Sequence, residues 1–179
     1  SDQSRPTEVS RFGLIDHFDP NLTPPLAENG ISILLRVRAG NHESVMIFDV
    51  GLTGPVLVHN LAALNVDPNS IGHIVISHGH PDHYGGIHSL LESMDRGVPI
   101  ATHPDAFLPR YVLMGDGRVS PYYNHTLIPD ELEKRGGRVV AARSPLELGL
   151  GVSTTGEIPR VVDFEEPMPP ETRRSPGLW

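Results

Sequence analysis

His78-Gly79-His80-Pro81-Asp82-His83 decides how this chain is read. Three imidazoles and a carboxylate fall within six positions, directly after Ile74-Val75-Ile76-Ser77. Gly, Pro and Asp continue strands poorly, so the run is expected to be a loop leaving a strand end. Neutral imidazole and carboxylate are ligand types shared by zinc, iron and manganese sites. His78 and His80 are two apart, so in an extended stretch their side chains point the same way and can grip one ion. Asp82 and His83 follow the turn at Pro81 and can reach a second ion. Two adjacent ions would clamp a water, lower its pKa and polarise a substrate oxygen. Asp82 would bind the second ion and orient that water. The competing reading is a solvated turn in a chain with ten histidines, which the spacing and the position after a strand make the weaker one.

Outward from that run, composition narrows the choices. A chain of 179 residues fits one domain with a real core. Gly and Pro number 18 each, which implies many turns but falls short of a low-complexity chain. The formal charge is −8 and Lys and Arg do not cluster, which argues against a nucleic-acid partner. A small anionic substrate stays open, because metal ions supply local positive charge. With no cysteine, disulfides and thiolate ligation are excluded. No apolar run approaches a membrane span and no signal peptide is visible, so a membrane partner is not expected and a cytoplasmic location is.

The pattern along the chain alternates strand and helix, an α/β architecture. Residues 1–10 are polar and expected to be poorly ordered. Residues 11–164 read as the domain portion and 165–179 as an acidic, Pro-rich tail or exposed loop. Within the domain, 31–39 and 44–50 form a hairpin at one edge of a mixed sheet. Gly54-Pro55 opens a helix to about residue 65, with Leu57, Leu61 and Leu64 as its apolar stripe. Strands are expected at 73–77, 98–102, 138–142 and 148–154, and helices at 85–95, 104–110 and 129–135. Residues 111–126 read as one long irregular loop, the kind that often serves as a binding lid.

Other residues qualify as site candidates. Asp49 ends a strand and would hold a ligand histidine or the metal loop in place; the alternative is a turn aspartate. His103 follows a strand and precedes Pro104, where it can line the site mouth. His125 sits in the long loop beside Tyr122 and Tyr123. Arg110 and Arg160 are suited to bidentate contact with a carboxylate or phosphate. For His103, His125 and the two arginines, a surface role competes with substrate contact.

Several stretches also resemble a known family. Ile47-Phe48-Asp49-Val50-Gly51 resembles the strand and Asp-x-Gly turn of the metallo-β-lactamase superfamily, and SHGHPDHYGG from Ser77 to Gly86 resembles its metal loop. Ala27-Glu28-Asn29-Gly30-Ile31-Ser32, His103-Pro104-Asp105-Ala106-Phe107 and Thr155-Gly156-Glu157-Ile158-Pro159-Arg160 are similar to segments of one branch. That branch includes archaeal dihydropterin–aminobenzene ribofuranosyl phosphate synthases and metal-dependent hydrolases. The resemblance runs from about residue 22 to 160. It implies an αββα sandwich of which this chain supplies the N-terminal half or somewhat more. It also implies a dinuclear metal centre with zinc as the default ion, and it places the 154–157 region near the active-site face.

One departure from the family matters. The superfamily places a further histidine, a bridging aspartate and a last histidine on the second half of the fold, and here the last histidine is His125. The remaining ligands are therefore expected from a complementary C-terminal fragment or subunit. The leading expectation is a metal-dependent hydrolase acting on an ester or phosphoester of a small molecule. A pterin-precursor synthase using the same metals is the first alternative. A non-catalytic metal-binding or interaction module is the second.

Overall fold

A computed structural model describes residues 23–121, 127–159 and 161. In chain order these form β1 (Ile33–Ala39), β2 (His42–Phe48), α1 (Gly54–Ala63), β3 (His73–Ile76), α2 (Pro81–Tyr84), α3 (Ile87–Glu92), β4 (Val98–Thr102), β5 (Tyr111–Leu113), β6 (Val119–Pro121), α4 (Pro129–Lys134), β7 (Gly137–Ala141), β8 (Glu147–Gly149) and β9 (Val152–Ser153). Tight 3-10 turns add Pro68–Ser70 and Pro104–Phe107.

The main sheet has the order β1-β2-β3-β4-β7. β1 and β2 pair antiparallel across Gly40-Asn41, with Ala39 opposite His42. The other pairs are parallel. Parallel neighbours need a crossover connection, and α1, α3 and α4 lie in the three crossovers. Side chains alternate across the strands. Ile47, Ile74, Ile76 and Ile100 share one buried cluster with Leu57 and Leu61 of α1, Leu90 of α3 and Leu132 of α4. All three helices therefore cover the same face.

The second face is built from Met46, Val75 and Ala101, which pack with Leu148 of the β8–β9 hairpin. That hairpin is narrow, and towards β1 the face opens. Ile33 is 49% exposed and Leu35 40%. Between Leu35, Met46 and Phe48 on the sheet and Leu146, Val152 and Gly156 opposite lies a cleft of about 410 Å³.

Three parallel strands deliver their successors to one sheet edge. β2 is followed by Asp49, β3 by Ser77 and the histidine run, and β4 by His103. The carboxyl ends of parallel strands are where open α/β sheets place their sites. Among the described residues no helix is long and apolar enough to cross a membrane.

Three expectations need correction. The histidine run is not loop throughout: Pro81 occupies the first position of a helical turn, with His80 as its extended N-cap, so Asp82 and His83 are helical. The helix expected over 85–95 is correspondingly confined to α3. Residues 111–121 are a β-hairpin, because the Gly115-Asp116-Gly117 turn folds β5 onto β6, with Gly117 at φ 82°. The strand expected over 148–154 is instead the end of the first arm, the turn and the second arm of another hairpin, reversed at Gly149-Leu150-Gly151, all three at positive φ. The expected ordering of 1–10 and 165–179 concerns positions outside the described residues.

Ile100 is fully buried in β4, which has a parallel neighbour on each side. Ile100→Ala is expected to lower unfolding free energy by about 2–5 kcal/mol. Urea denaturation reads it as a fall in midpoint at unchanged slope; a loss well below 1 kcal/mol would contradict this packing.

Candidate metal centre

The site begins where β3 ends. Ser77, His78 and Gly79 leave the strand, and Pro81 then turns the chain into α2. Gly79 passes against the Ala106 carbonyl and the Arg110 guanidinium, with no room for a Cβ. Gly85 is confined in the same way by the Leu52 carbonyl. The loop is thus held by backbone on both sides.

Asp49 organises the side chains. It is 1% exposed and has a left-handed backbone, φ 57°. Aspartate is one of the few residues besides glycine that tolerates this region. Its Oδ1 accepts the Ser77 backbone N–H at 2.7 Å. Its Oδ2 accepts the Ser77 hydroxyl at 2.7 Å and the His83 Nδ1 hydrogen at 2.7 Å. A carboxylate only accepts, so these contacts fix where the protons lie. His83 carries its hydrogen on Nδ1, leaving the Nε2 lone pair free. The Ser77 hydroxyl, having donated to Asp49, accepts from His78 Nδ1 at 2.8 Å. The lone pair of His78 is therefore also on Nε2, where it meets His80 Nδ1 at 2.9 Å.

The three rings crowd together. The His78 centroid lies 4.5 Å from that of His80 and 4.1 Å from that of His83. Burial pushes the His78 pKa down to about 4, reinforced by the charges of His83 and His80 and only partly opposed by Asp49. His80 shifts the same way, through burial and then the Arg110 charge. Near pH 7 His78 presents a lone pair without having to lose a proton.

The donors fall into two pairs. His78 Nε2 and His80 Nδ1 are 2.9 Å apart; His83 Nε2 and Asp82 Oδ2 are 3.8 Å apart. A tetrahedral zinc with bonds of about 2.0–2.1 Å needs neighbouring donors about 3.3–3.4 Å apart. Each pair brackets that spacing to within about half an ångström, a side-chain adjustment. No three His, Asp or Glu among the described residues already form a metal-ready group. The spacings are compatible with one ion at each pair, provided the hydrogen between His78 Nε2 and His80 Nδ1 is displaced.

The other candidates lie differently. Arg110 is turned onto backbone: Nη1 donates to the Ala106 and Leu108 carbonyls at 3.2 and 3.1 Å, and Nη2 to the Asp105 carbonyl at 3.4 Å. The sequence offers Arg110 as a contact for a substrate anion; here its guanidinium is engaged by these three carbonyls. Burial lowers its pKa, as it does wherever a cation loses water. His103 lines the cleft mouth with Ser77. Its Nδ1 accepts the Asp105 N–H at 3.1 Å, which leaves the hydrogen of the neutral ring on Nε2, 3.4 Å from Glu157 and 3.1 Å from Arg143 Nη1. Arg143 ties the same corner together, binding Glu157 at 3.0 Å and Asp105 at 2.7 Å. His125 and Arg160 lie outside the described residues. Sequence reasoning did not single out Ser77, which joins Asp49 to His78. The available signal was a hydroxyl residue between a strand and the first histidine.

The sequence profile of the metallo-beta-lactamase superfamily matches residues 29–167. Over 171 residues the chain is 31% identical to a 7,8-dihydropterin-6-methyl-4-(beta-D-ribofuranosyl)-aminobenzene-5'-phosphate synthase of Methanocaldococcus jannaschii, covering 96% of this chain and 56% of that protein. The chain spans about half the length of the curated relatives it matches. Among solved structures it is similar to Rm3 metallo-beta-lactamase, at 22% identity and TM-score 0.42, covering 68% of this chain and 43% of that one. It is also similar to MEM-A1, a subclass B3 metallo-beta-lactamase from a soil metagenome library, at 20% identity and TM-score 0.40, covering 72% and 50%.

The depressed His78 and His80 pKa values set a pH dependence. Unfolded histidine takes up a proton near pH 6.5, whereas folded His78 resists protonation to about 4. Between those values the unfolded state binds more protons, so stability falls as pH falls. The metal-free protein in chelator is expected to melt progressively lower from pH 7 to pH 5, with a shallower slope in His78→Asn. Equal slopes in the two proteins would contradict the burial of a neutral His78.

Proposed function

The chain belongs to the metallo-β-lactamase superfamily, and from that premise we propose that it is the metal-loop half of a metal-dependent hydrolase that cleaves an ester or phosphoester bond in a small anionic molecule. The observation that carries this reading is the convergence of His78, His80, Asp82 and His83 at the sheet edge, with the tautomers of His83 and His78 set by Asp49 and Ser77. His78 and His80 would hold one ion, which would replace the hydrogen that His80 Nδ1 shares with His78 Nε2, and Asp82 and His83 Nε2 would hold the other. A divalent pair bound there supplies Lewis acidity and a water of lowered pKa. Zinc is the default ion, and iron or manganese suits the same donors. Asp82, with its side chain 29% exposed, would orient the nucleophile. Asp49 keeps His83 in the tautomer that ligates.

A second reading is a transferase. It is favoured by the 31% identity to the Methanocaldococcus jannaschii synthase. The same metal loop would then support condensation, and anionic substrate would again be drawn to the bound cations. Incubation with a pterin diphosphate and an aminobenzoate acceptor separates the two, since only the synthase consumes both together.

Each half-site has two protein donors, so we place the remaining ligands on the second half of the fold. Its seat is the open second face, where Ile33, Leu35 and Phe48 flank the cleft. An apolar sheet face of this kind is stable when another layer covers it.

His80→Ala and Asp82→Ala are each expected to remove bound metal and phosphodiesterase activity from the zinc-loaded protein. Elemental analysis and turnover of a chromogenic phosphodiester read this directly, and full activity in both variants sinks the hydrolase reading. Asp49→Ala is expected to weaken zinc binding by about 10–100-fold, since the histidine it orients would lose its hydrogen-bond acceptor. A competition titration against a chromogenic chelator measures that loss.

A further inference from the structure

We propose that Glu28 is a positioning residue for Asp82 and His83, acting at a distance through residues 28–31; the inference rests on the metal-loop reading above. Glu28 lies far from the histidine run in sequence and touches none of its side chains. Its carboxylate accepts three hydrogen bonds at the start of α1. Oε1 takes the Leu52 N–H at 3.1 Å and the Thr53 N–H at 2.8 Å, and Oε2 takes the Thr53 hydroxyl at 2.7 Å. Thr53 is the N-cap of α1, and its own side chain makes no capping bond to the helix. A carboxylate from elsewhere in the chain thus occupies the N-terminal end of α1, where amide hydrogens lack intrahelical partners and negative charge is favoured.

What Glu28 pins is the segment that carries Gly30 and Ile31 to the metal loop. Gly30, at φ 114°, lies so close to the Asp82 carbonyl that any Cβ would collide with it. The Ile31 N–H donates to that same carbonyl at 3.3 Å. The Ile31 carbonyl in turn accepts the Gly51 N–H at 2.9 Å, and the Val50 N–H donates to the His83 carbonyl at 2.8 Å. These bonds link residues 28–31, the Asp49-Val50-Gly51 turn and α2 into one patch of backbone. The Asp82 and His83 carbonyls accept from the two partners that Glu28 fixes: Ile31, three residues along the strap, and the turn that runs straight into Leu52 and Thr53. Farther out, Asn60 brackets Leu26 through bonds of 2.7 and 2.9 Å to its N–H and carbonyl. That bracket holds the same strap at neutral groups and farther from the loop. A charge-assisted set such as that of Glu28 is the stronger of the two anchors.

The test compares Glu28→Ala, Glu28→Asp, Glu28→Gln and Asn60→Ala in the full chain. Amide hydrogen exchange in the metal-free proteins reads the patch directly. Glu28→Ala is expected to accelerate exchange of the Ile31 and Val50 amides by about tenfold or more. The Ala142 and Thr154 amides, bonded to Thr102 and Leu146 on the far side of the sheet, should keep their rates. Glu28→Gln keeps an acceptor at the same reach and should restore protection. Asn60→Ala should leave Ile31 and Val50 near their original rates. If the alanine variant does not fold, Glu28→Asp, which keeps the charge but shortens the reach, carries the same comparison. Unchanged Ile31 and Val50 exchange, or uniform acceleration across the chain, overturns the proposal and leaves Glu28 as a helix cap only. A parallel cobalt titration should show about tenfold weaker binding in Glu28→Ala, rescued in Glu28→Gln. If the unsubstituted protein binds no cobalt, the metal reading fails while the exchange comparison still decides the role of Glu28.

Discussion

Everything at the sheet edge depends on one buried carboxylate finding enough hydrogen-bond donors. Asp49 is withdrawn from water, and an ionised group there is costly unless its oxygens are satisfied. Ser77 supplies two donors and His83 a third, and these bonds fix the exit from β3, the tautomer of His83 and, through the Ser77 hydroxyl, the tautomer of His78. The negative charge of Asp49 also raises the His78 pKa slightly, but burial and the neighbouring imidazoles prevail and the ring stays neutral. The result is a cluster of imidazole lone pairs beside a buried anion, an electrostatic setting completed by a cation.

The sheet supports this arrangement asymmetrically. Helices close one face with branched aliphatic side chains, so the strands ending at Asp49, Ser77 and His103 share a rigid base. The other face carries only the β8–β9 hairpin and the cleft beside Leu35. The metal loop therefore stands at the boundary between a finished layer and an open one. A site there can draw ligands from whatever covers the open side, and its own half remains structured by the covered side.

Much of this was legible because its signals are local. Pro55 and the Leu57–Leu61 spacing placed α1, although Leu64, expected in the same stripe, is its exposed C-cap; the 98–102 run gave β4 to the residue, and the Gly40-Asn41 turn announced the first hairpin. The ligand candidates were legible because they are consecutive. What escaped depends on backbone geometry or on distant partners. The two-residue and three-residue strands beside Gly117 and Gly151 are too short to carry a period, so their hairpins read as irregular chain or as a single strand. Arg110 looked available because nothing in its neighbours' identities reveals that three carbonyls converge on it. The proton on His103 is assigned by the Asp105 amide, a contact made only once the 3-10 turn forms. The family resemblance stated from the motifs agrees with the superfamily profile over residues 29–167.

The left-handed backbone at Asp49 narrows what mutation can do at that position. Few residues enter this region cheaply, and glycine and asparagine are the main alternatives. Glycine keeps the path of the chain and leaves three donors without their acceptor. Asparagine keeps the path but turns an NH2 group towards donors that need an oxygen, whichever way its amide is flipped. Glutamate keeps the charge, but it overshoots by a methylene and strains the turn. Every single step away from aspartate thus surrenders either the backbone conformation or part of the hydrogen bonding. Substitution here is a walk with no level ground beside it, and replacing this residue would require Ser77 and His83 to change together with it.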